Sequence, residues 1–326
     1  MIELDTPTSE KCRVLFILKL DSQDAIDAAI VLALELLTNR KLEIYLESRT
    51  LNYLDSRLLS KVNIFNCETS KIDLIISLGG DGTTLRSVKL FQGKTVPKVI
   101  AVALGSLCYL NRTYVDEVSN LVFEYIENPN NASLKYEKRY ALEIFVYNKD
   151  GIVEGPFRAL NECVIDRGAC SGLRKLDVFI DDTYYITVVA DGIIIATPTG
   201  STAYSMAAGA SVVDPAVRCS IITPICPHSL SLRPIVIQAS SLIKVRLNED
   251  SRTDATIRVD GETLKKLDYD SHVTISEDKN PIVFLGFDRM QDLWLMSLKD
   301  NLFWGKTPVI ESQNFSYKSR ESFYIN

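Results

Sequence analysis

Two hydrophobic rhythms divide the chain. In the first part, short apolar runs alternate with stretches of helical period. Val14–Leu20 reads as a buried strand, Asp21 and Ser22 are natural N-caps, and Asp24–Leu37 follows with Ala and Leu at helical spacing. Leu42–Leu46 reads as strand again. Asp73–Leu78 is a short apolar run that ends in Gly79-Gly80-Asp81-Gly82, with a helix-like stretch from Thr83 to about Phe91. Lys98–Leu104 is another strand, ending at Gly105, and Val115–Glu127 is an amphipathic helix. Strands alternating with helices predict a parallel sheet covered on both faces.

Asn128-Pro129-Asn130-Asn131 marks a turn, and the rhythm shortens after it. β-Branched runs follow at Leu142–Val146, Ala159–Ile165, Leu176–Ile180, Tyr184–Val189, Ile193–Thr197, Ser220–Thr223, Ile235–Ile237, Leu242–Leu247, Thr256–Val259 and His272–Ser276. Turn residues separate them at sandwich spacing. Residues 133–285 are therefore expected to form a β-rich domain after an α/β domain at 1–132. A last helix, Leu293–Phe303, carries Trp294 and ends next to Trp304; the tail from Ser312 is polar and aromatic.

Composition narrows the function classes. The 326 residues suit two domains. Thirty-six basic and 42 acidic residues give a net charge of -6, which disfavours a nucleic-acid backbone as the main partner but leaves room for a basic pocket for one nucleotide. No apolar run reaches the roughly 18 residues of a membrane span, and the start Met1–Asp5 is acidic, without a basic leader. A soluble cytoplasmic protein is expected. Seven cysteines lie scattered with no C-x-x-C pair, so neither a disulfide framework nor a zinc site is expected. Two histidines, His228 and His272, exclude a histidine-rich metal site.

Three blocks carry candidate chemistry. Gly79-Gly80-Asp81-Gly82-Thr83-Thr84 joins a strand to a helix. Its glycines allow close backbone approach, and the helix start offers N–H groups to phosphate. Asp81 is unusual there: a carboxylate repels phosphate unless it takes a proton from an attacking hydroxyl or helps hold a metal ion. The plain alternative is a tight turn with an Asp N-cap. No Walker loop is found, because Gly93-Lys94-Thr95 and Gly305-Lys306-Thr307 have Val88 and Asp300 where the first glycine belongs, and Gly80-x-Gly82 is no dinucleotide fingerprint, because Leu85 replaces the third glycine. Gly168–Gly172 imitates a nucleophile elbow, but a strand follows it where a helix is needed, so a turn is expected.

The second block, Asp191–Tyr204, runs a triple-Ile strand into a hydroxyl-rich loop with a Tyr face for stacking. A turn capped by Thr199 or Ser201 is the alternative. The third, Asn161-Glu162, sits inside the apolar run Ala159–Ile165, where neighbours face opposite sides and one is expected to face the interior or the cleft. Glu162 is expected as an acceptor for ribose hydroxyls; an exposed edge strand is the alternative.

In order, these blocks, with Ala207-Ala208-Gly209, closely resemble the NAD kinase family over residues 70 to 305, and Ile222–Val236 looks like its eukaryotic branch. The first block alone is shared with diacylglycerol, sphingosine and phosphofructokinase-like kinases. The resemblance implies a Rossmann-like α/β domain, a β-sandwich domain and ligand between them, with 286–326 returning to the first domain. It implies ATP-dependent phosphorylation of the 2′-hydroxyl of the adenosine ribose of NAD, Mg²⁺ arriving with ATP, and a homo-oligomer. Asp81 is implied as general base. Gly79, Gly80, Gly82, Thr83, Leu85, Arg86 and Tyr109 are implied at the nucleotide site. Asn161 and Glu162 are implied to hold the second substrate, Asp191 to contact the dinucleotide, and Thr202, Ala203 and Tyr204 to build the base-binding wall, with Ala207 also at the nucleotide site, where many bacterial members have Ser. Cys108 stands where the family usually has Gly, Asn111-Arg112 replaces a Thr-Pro-type continuation, and Val189-Ala190 replaces a polar residue and Gly. A lipid kinase and a catalytically weak nucleotide-binding regulator are the alternatives.

Overall fold

The computed structural model describes residues 11–54, 56–104, 108–110, 113–251, 254–287 and 290–301. Gly105–Leu107, Asn111-Arg112, Phe303, Trp304 and the tail from Ser312 lie outside the described residues.

The first part alternates as its rhythm predicts: β1 (Cys12–Leu18), α1 (Gln23–Leu36), β2 (Leu42–Leu46), α2 (Ser56–Leu59), β3 (Asn63–Ile64), β4 (Leu74–Gly79), α3 (Asp81–Lys89), β5 (Lys98–Ala103) and α4 (Val115–Glu127). Ser22 caps α1 by accepting from the Ala25 N–H at 3.4 Å. β1 shows why the sheet needs helices on both faces: Val14, Phe16 and Leu18 join one core with α1 and α4, and Leu15 and Ile17 join another that holds Val88 of α3.

The chain continues through β6 (Leu134–Arg139), β7 (Leu142–Tyr147), β8 (Val153–Ala159), β9 (Glu162–Asp166), β10 (Arg174–Ile180), β11 (Thr183–Ala190), β12 (Gly192–Ala196), α5 (Tyr204–Ala207), β13 (Cys219–Ile225), β14 (Ile235–Gln238), β15 (Ile243–Leu247), β16 (Ala255–Val259), β17 (Glu262–Leu267), β18 (His272–Glu277), β19 (Ile282–Phe287) and α6 (Met290–Asn301). Two six-stranded sheets, ordered β11-β10-β15-β18-β7-β8 and β14-β13-β12-β9-β16-β17, share one core in which Ile144 and Val178 meet Ile193, Ile195 and Ile257. This is the expected sandwich.

Two strands depart from the expected layout. β6 and β19 belong to the first sheet, whose order is β3-β2-β1-β4-β5-β19-β6. β19 runs parallel to β5 and antiparallel to β6. Its sequence explains the placement: Ile282 and Phe284 fill one core of that sheet while Leu285 fills the other, so it is apolar on both faces. The run Ala159–Ile165 is not one strand either; it breaks at Leu160-Asn161 between β8 and β9. α6 is shifted from the expected Leu293–Phe303 and buries Trp294 and Leu298.

Candidate active site

β1 feeds α1 and then β2 on one side, while β4 feeds α3 and then β5 on the other. The strand ends diverge between β1 and β4, and such a switch point is where open α/β sheets bind ligands. The Gly79–Gly82 turn sits there. A Cβ on Gly79 would collide with Thr83 Oγ1 and come within 2.9 Å of Lys19 Cβ, so Thr83 is spent on packing over the turn. A Cβ on Gly80 or Gly82 would meet nothing within 4 Å, so these two positions border open space.

Asp81 is not the N-cap. Gly80 is, and its carbonyl accepts from the N–H groups of Thr83 and Thr84. Asp81 is the first helical residue, which leaves its carboxylate for the neighbouring loop. Oδ2 accepts from the Tyr109 N–H at 2.9 Å and Oδ1 from the Leu110 N–H at 3.0 Å. Both N–H groups donate to the carboxylate at the positive end of α3. The half-buried Cys108 thiol beside it is pushed up to about 11 by burial and by the Asp81 charge, so it stays protonated. Leu85 packs against the core on the α3 face. Arg86 donates to both oxygens of Glu47 at 2.6 Å and to the Leu18 carbonyl at 2.9 Å, so its charge is committed to holding α3 against β1.

The second cluster is tertiary. Asp260 Oδ2 accepts from the Leu160 N–H at 2.8 Å, and Oδ1 accepts from Asn161 at 2.8 Å and Glu162 at 3.1 Å. These bonds replace strand pairing and break the run at that point. Asp260-Gly261 forms the two-residue connection between β16 and β17, with φ of 46° and 81°. Thr197 Oγ1 donates to the Leu160 carbonyl at 2.6 Å, and the Gly200 N–H donates to Thr197 Oγ1 at 3.0 Å. Gly200 lies on Asn161 so closely that a Cβ would stand 2.6 Å from its carbonyl carbon. Thr199–Thr202 form a 3₁₀ turn, and neither Thr199 nor Ser201 caps α5.

Glu162 is buried. One carboxylate oxygen takes the Tyr204 backbone N–H, and Oε2 has no hydrogen-bond partner. Burial, reinforced by Asp260, pushes its carboxyl up to about 8. At neutral pH it is mostly the neutral acid, with an O–H to give, rather than the charged acceptor expected from sequence. Tyr204 is partly exposed, and its partial desolvation, with Asp166, Cys226 and Asp191 nearby, raises its phenol. Asp191 pairs with Arg167 at 3.2 Å. Ala203 leads into α5, and Ala207 ends it on the exposed side.

Known proteins show the same two parts in the same order. The model of the ATP-NAD kinase N-terminal domain matches residues 14–129, and that of the ATP-NAD kinase C-terminal domain matches residues 160–285. NAD kinase of Thermoanaerobacter sp. (strain X514) is 42% identical over 200 residues, which are 61% of this chain and 68% of that protein. The chain belongs to the NAD kinase family. NAD kinase 2, chloroplastic, of Arabidopsis thaliana is 36% identical over 238 residues, 72% of this chain but 24% of that longer protein. Among solved structures, yeast NADH kinase complexed with NADH matches with a TM-score of 0.81 and 27% identity, covering 92% of this chain and 90% of that one. An NAD kinase from Archaeoglobus fulgidus in complex with ATP, 21% identical with a TM-score of 0.65 and covering 89% of this chain and 98% of that one, shares the fold.

Within this NAD kinase family member, two residues at the site escaped sequence reasoning. Asp260 was legible only as a turn: an Asp-Gly pair after a β-branched run. Arg139, the last residue of β6, donates through Nη1 to Thr199 Oγ1 at 3.2 Å and leaves no sequence signal. Among the described residues, no group of three or more His, Cys, Asp or Glu stands together as a metal cage, and no helix is long and apolar enough to cross a membrane.

Proposed function

We propose that the chain is an NAD kinase that transfers the γ-phosphoryl group of ATP to the 2′-hydroxyl of the adenosine ribose of NAD. The observation that carries this reading is the Asp81 carboxylate, fixed by two backbone N–H groups at the start of α3 beside two glycines that border open space. Asp81 takes the hydroxyl proton as the ribose oxygen bonds to phosphorus; the bond to the β-phosphate oxygen breaks, and ADP leaves. The Gly79–Gly82 turn and the N–H groups of α3 receive phosphate. Asn161 and the protonated Glu162 hold polar edges of the dinucleotide, and Thr202, Ala203 and Tyr204 wall the base. Mg²⁺ enters as the ATP complex and offsets the polyphosphate charge.

The test is NADP formation by the purified chain with NAD, ATP and MgCl₂, read by a coupled NADP-specific dehydrogenase. Parallel reactions replace NAD with NADH or with a diacylglycerol. NADP formation with no lipid phosphorylation is expected; nucleotide binding without NADP or NADPH formation refutes the reading. We also propose a cytoplasmic homo-oligomer, for which the exposed Leu230 and the edge strand β14 with exposed Val236 offer a surface. Light scattering and cell fractionation check both.

A further inference from the structure

Arg139 is a buried charge that the chemistry so far leaves unused. It is 2% exposed, at the last position of the first sheet's edge strand. Three contacts fix it. Nη2 pairs with Glu137 Oε1 at 2.7 Å, two residues back on the same face of β6. The guanidinium lies 6.0 Å from the centre of the Phe284 ring on neighbouring β19. Nη1 reaches out of the sheet to Thr199 Oγ1. Its Nε–H has no hydrogen-bond partner. Burial disfavours its charge, while Glu137, Asp214 and Asp81 favour it, so Asp81 lies within its electrostatic reach.

Burying a guanidinium with one N–H unpaired opposes folding, and an apolar side chain over Phe284 would avoid that penalty. What an apolar residue cannot supply is the bond to Thr199. That residue opens the Thr199–Thr202 turn, whose far side is already clamped to Leu160 and Asn161 through Thr197 and Gly200. The sandwich therefore fixes the turn from one side, and Arg139 ties it to the sheet that holds Asp81.

We propose that Arg139 is a positioning residue for phosphoryl transfer, setting the Thr199–Thr202 turn relative to the Asp81 carboxylate through its bond to Thr199 Oγ1. This rests on the NAD kinase reading above. A nucleotide held by the turn is delivered to the base at a distance that Arg139 sets, and misplacement of about 1 Å is enough to cost up to 10²-fold in rate.

The test compares wild type, Thr199→Val, Arg139→Lys, Arg139→Met and the Arg139→Lys/Thr199→Val double variant. Steady-state kinetics, calorimetric Kd for NAD and ATP, and Tm are measured for each. Thr199→Val keeps the shape and removes the acceptor, so it carries the test even if Arg139→Met does not fold. Expected are a fall in kcat of roughly tenfold for Thr199→Val and Arg139→Lys, an unchanged Kd for ATP, and a double variant no slower than the slower single one, because both break one bond. In a folded Arg139→Met the acidic limb of the kcat/KM profile moves to higher pH, as Asp81 loses a favourable charge. Wild-type kcat in a folded Thr199→Val, or effects that multiply in the double variant, overturns the proposal. If wild type makes no NADP, the NAD kinase reading fails. The positioning role is then judged on Kd for NAD, which must still weaken non-additively.

Discussion

The Gly79–Asp81 turn and the wall from Asn161 to Thr202 are built by opposite means. The turn is local: a strand end, a glycine pair and a helix start within a few residues set its shape, and its open glycines pack against nothing. The wall is tertiary. Asp260 reaches across about 100 positions of sequence to hold three N–H groups, and Gly200 is pressed onto Asn161. Change in the turn should therefore be felt in function without loss of stability, and change in the packing of the wall in stability and binding together.

The largest effect is expected at Asp81. Asp81→Asn keeps the shape and an acceptor for the loop N–H groups but cannot take the proton. A fall in kcat of about 10²–10⁴-fold is expected with Tm nearly unchanged. A variant within threefold of wild type would move the base elsewhere and erase the contrast. Next comes Asp260→Ala. It strands three N–H groups, at about 1–3 kcal/mol for each that stays dry, so a loss near 3 kcal/mol in urea unfolding is expected together with a weaker Kd for NAD. Full NAD affinity in a folded Asp260→Ala would show that the wall holds its shape without the clamp.

The glycines sharpen the comparison. Gly200→Ala drives a methyl into the Asn161 carbonyl, and overpacking of this kind costs about 1–3 kcal/mol. Gly82→Ala meets no protein atom, so Tm should hold while KM for nucleotide rises. Equal Tm losses at both sites would refute the distinction between an open turn and a packed wall.

The last contrast is in pH dependence. Native Glu162 keeps its proton up to about pH 8, whereas the unfolded chain releases it near the ordinary glutamate value of 4.5. The native state thus binds more protons between those values, and stability falls as pH rises through that window. Glu162→Gln removes the titration, so its Tm should gain steadily on wild type as pH rises from 5 to 8. Parallel Tm curves would mean that Glu162 is ionised in the native protein.

This division also explains what the sequence could convey. The apolar run Asp73–Leu78 and the glycines after it announced a strand, a turn and a helix start, because each depends on neighbours in the chain. Asp81 was legible as a candidate for the same reason, and the resemblance implied its role as base. For Arg86 the resemblance implied a place at the nucleotide site, while its partner Glu47 lies 39 residues away and leaves no local signal. Asp260 and Arg139 act only through residues brought close by folding. The β6 and β19 strands were hidden by similar logic, since a run such as Ile282–Phe287 carries no mark of which sheet it will enter.

β6 and β19 also reveal the plan of the polypeptide. They are ladder neighbours, and Arg139 lies directly opposite Ile282. Everything from residue 140 to 281 leaves the first sheet at one rung and returns at the same rung. In architectural terms the sandwich is an insertion, spliced into a complete seven-stranded α/β unit through a single doorway. The hydroxyl-rich wall is thus a cantilever rooted in the two strands that finish the sheet carrying Asp81. Arg139 stands on its threshold, where the chain passes from one half of the molecule into the other.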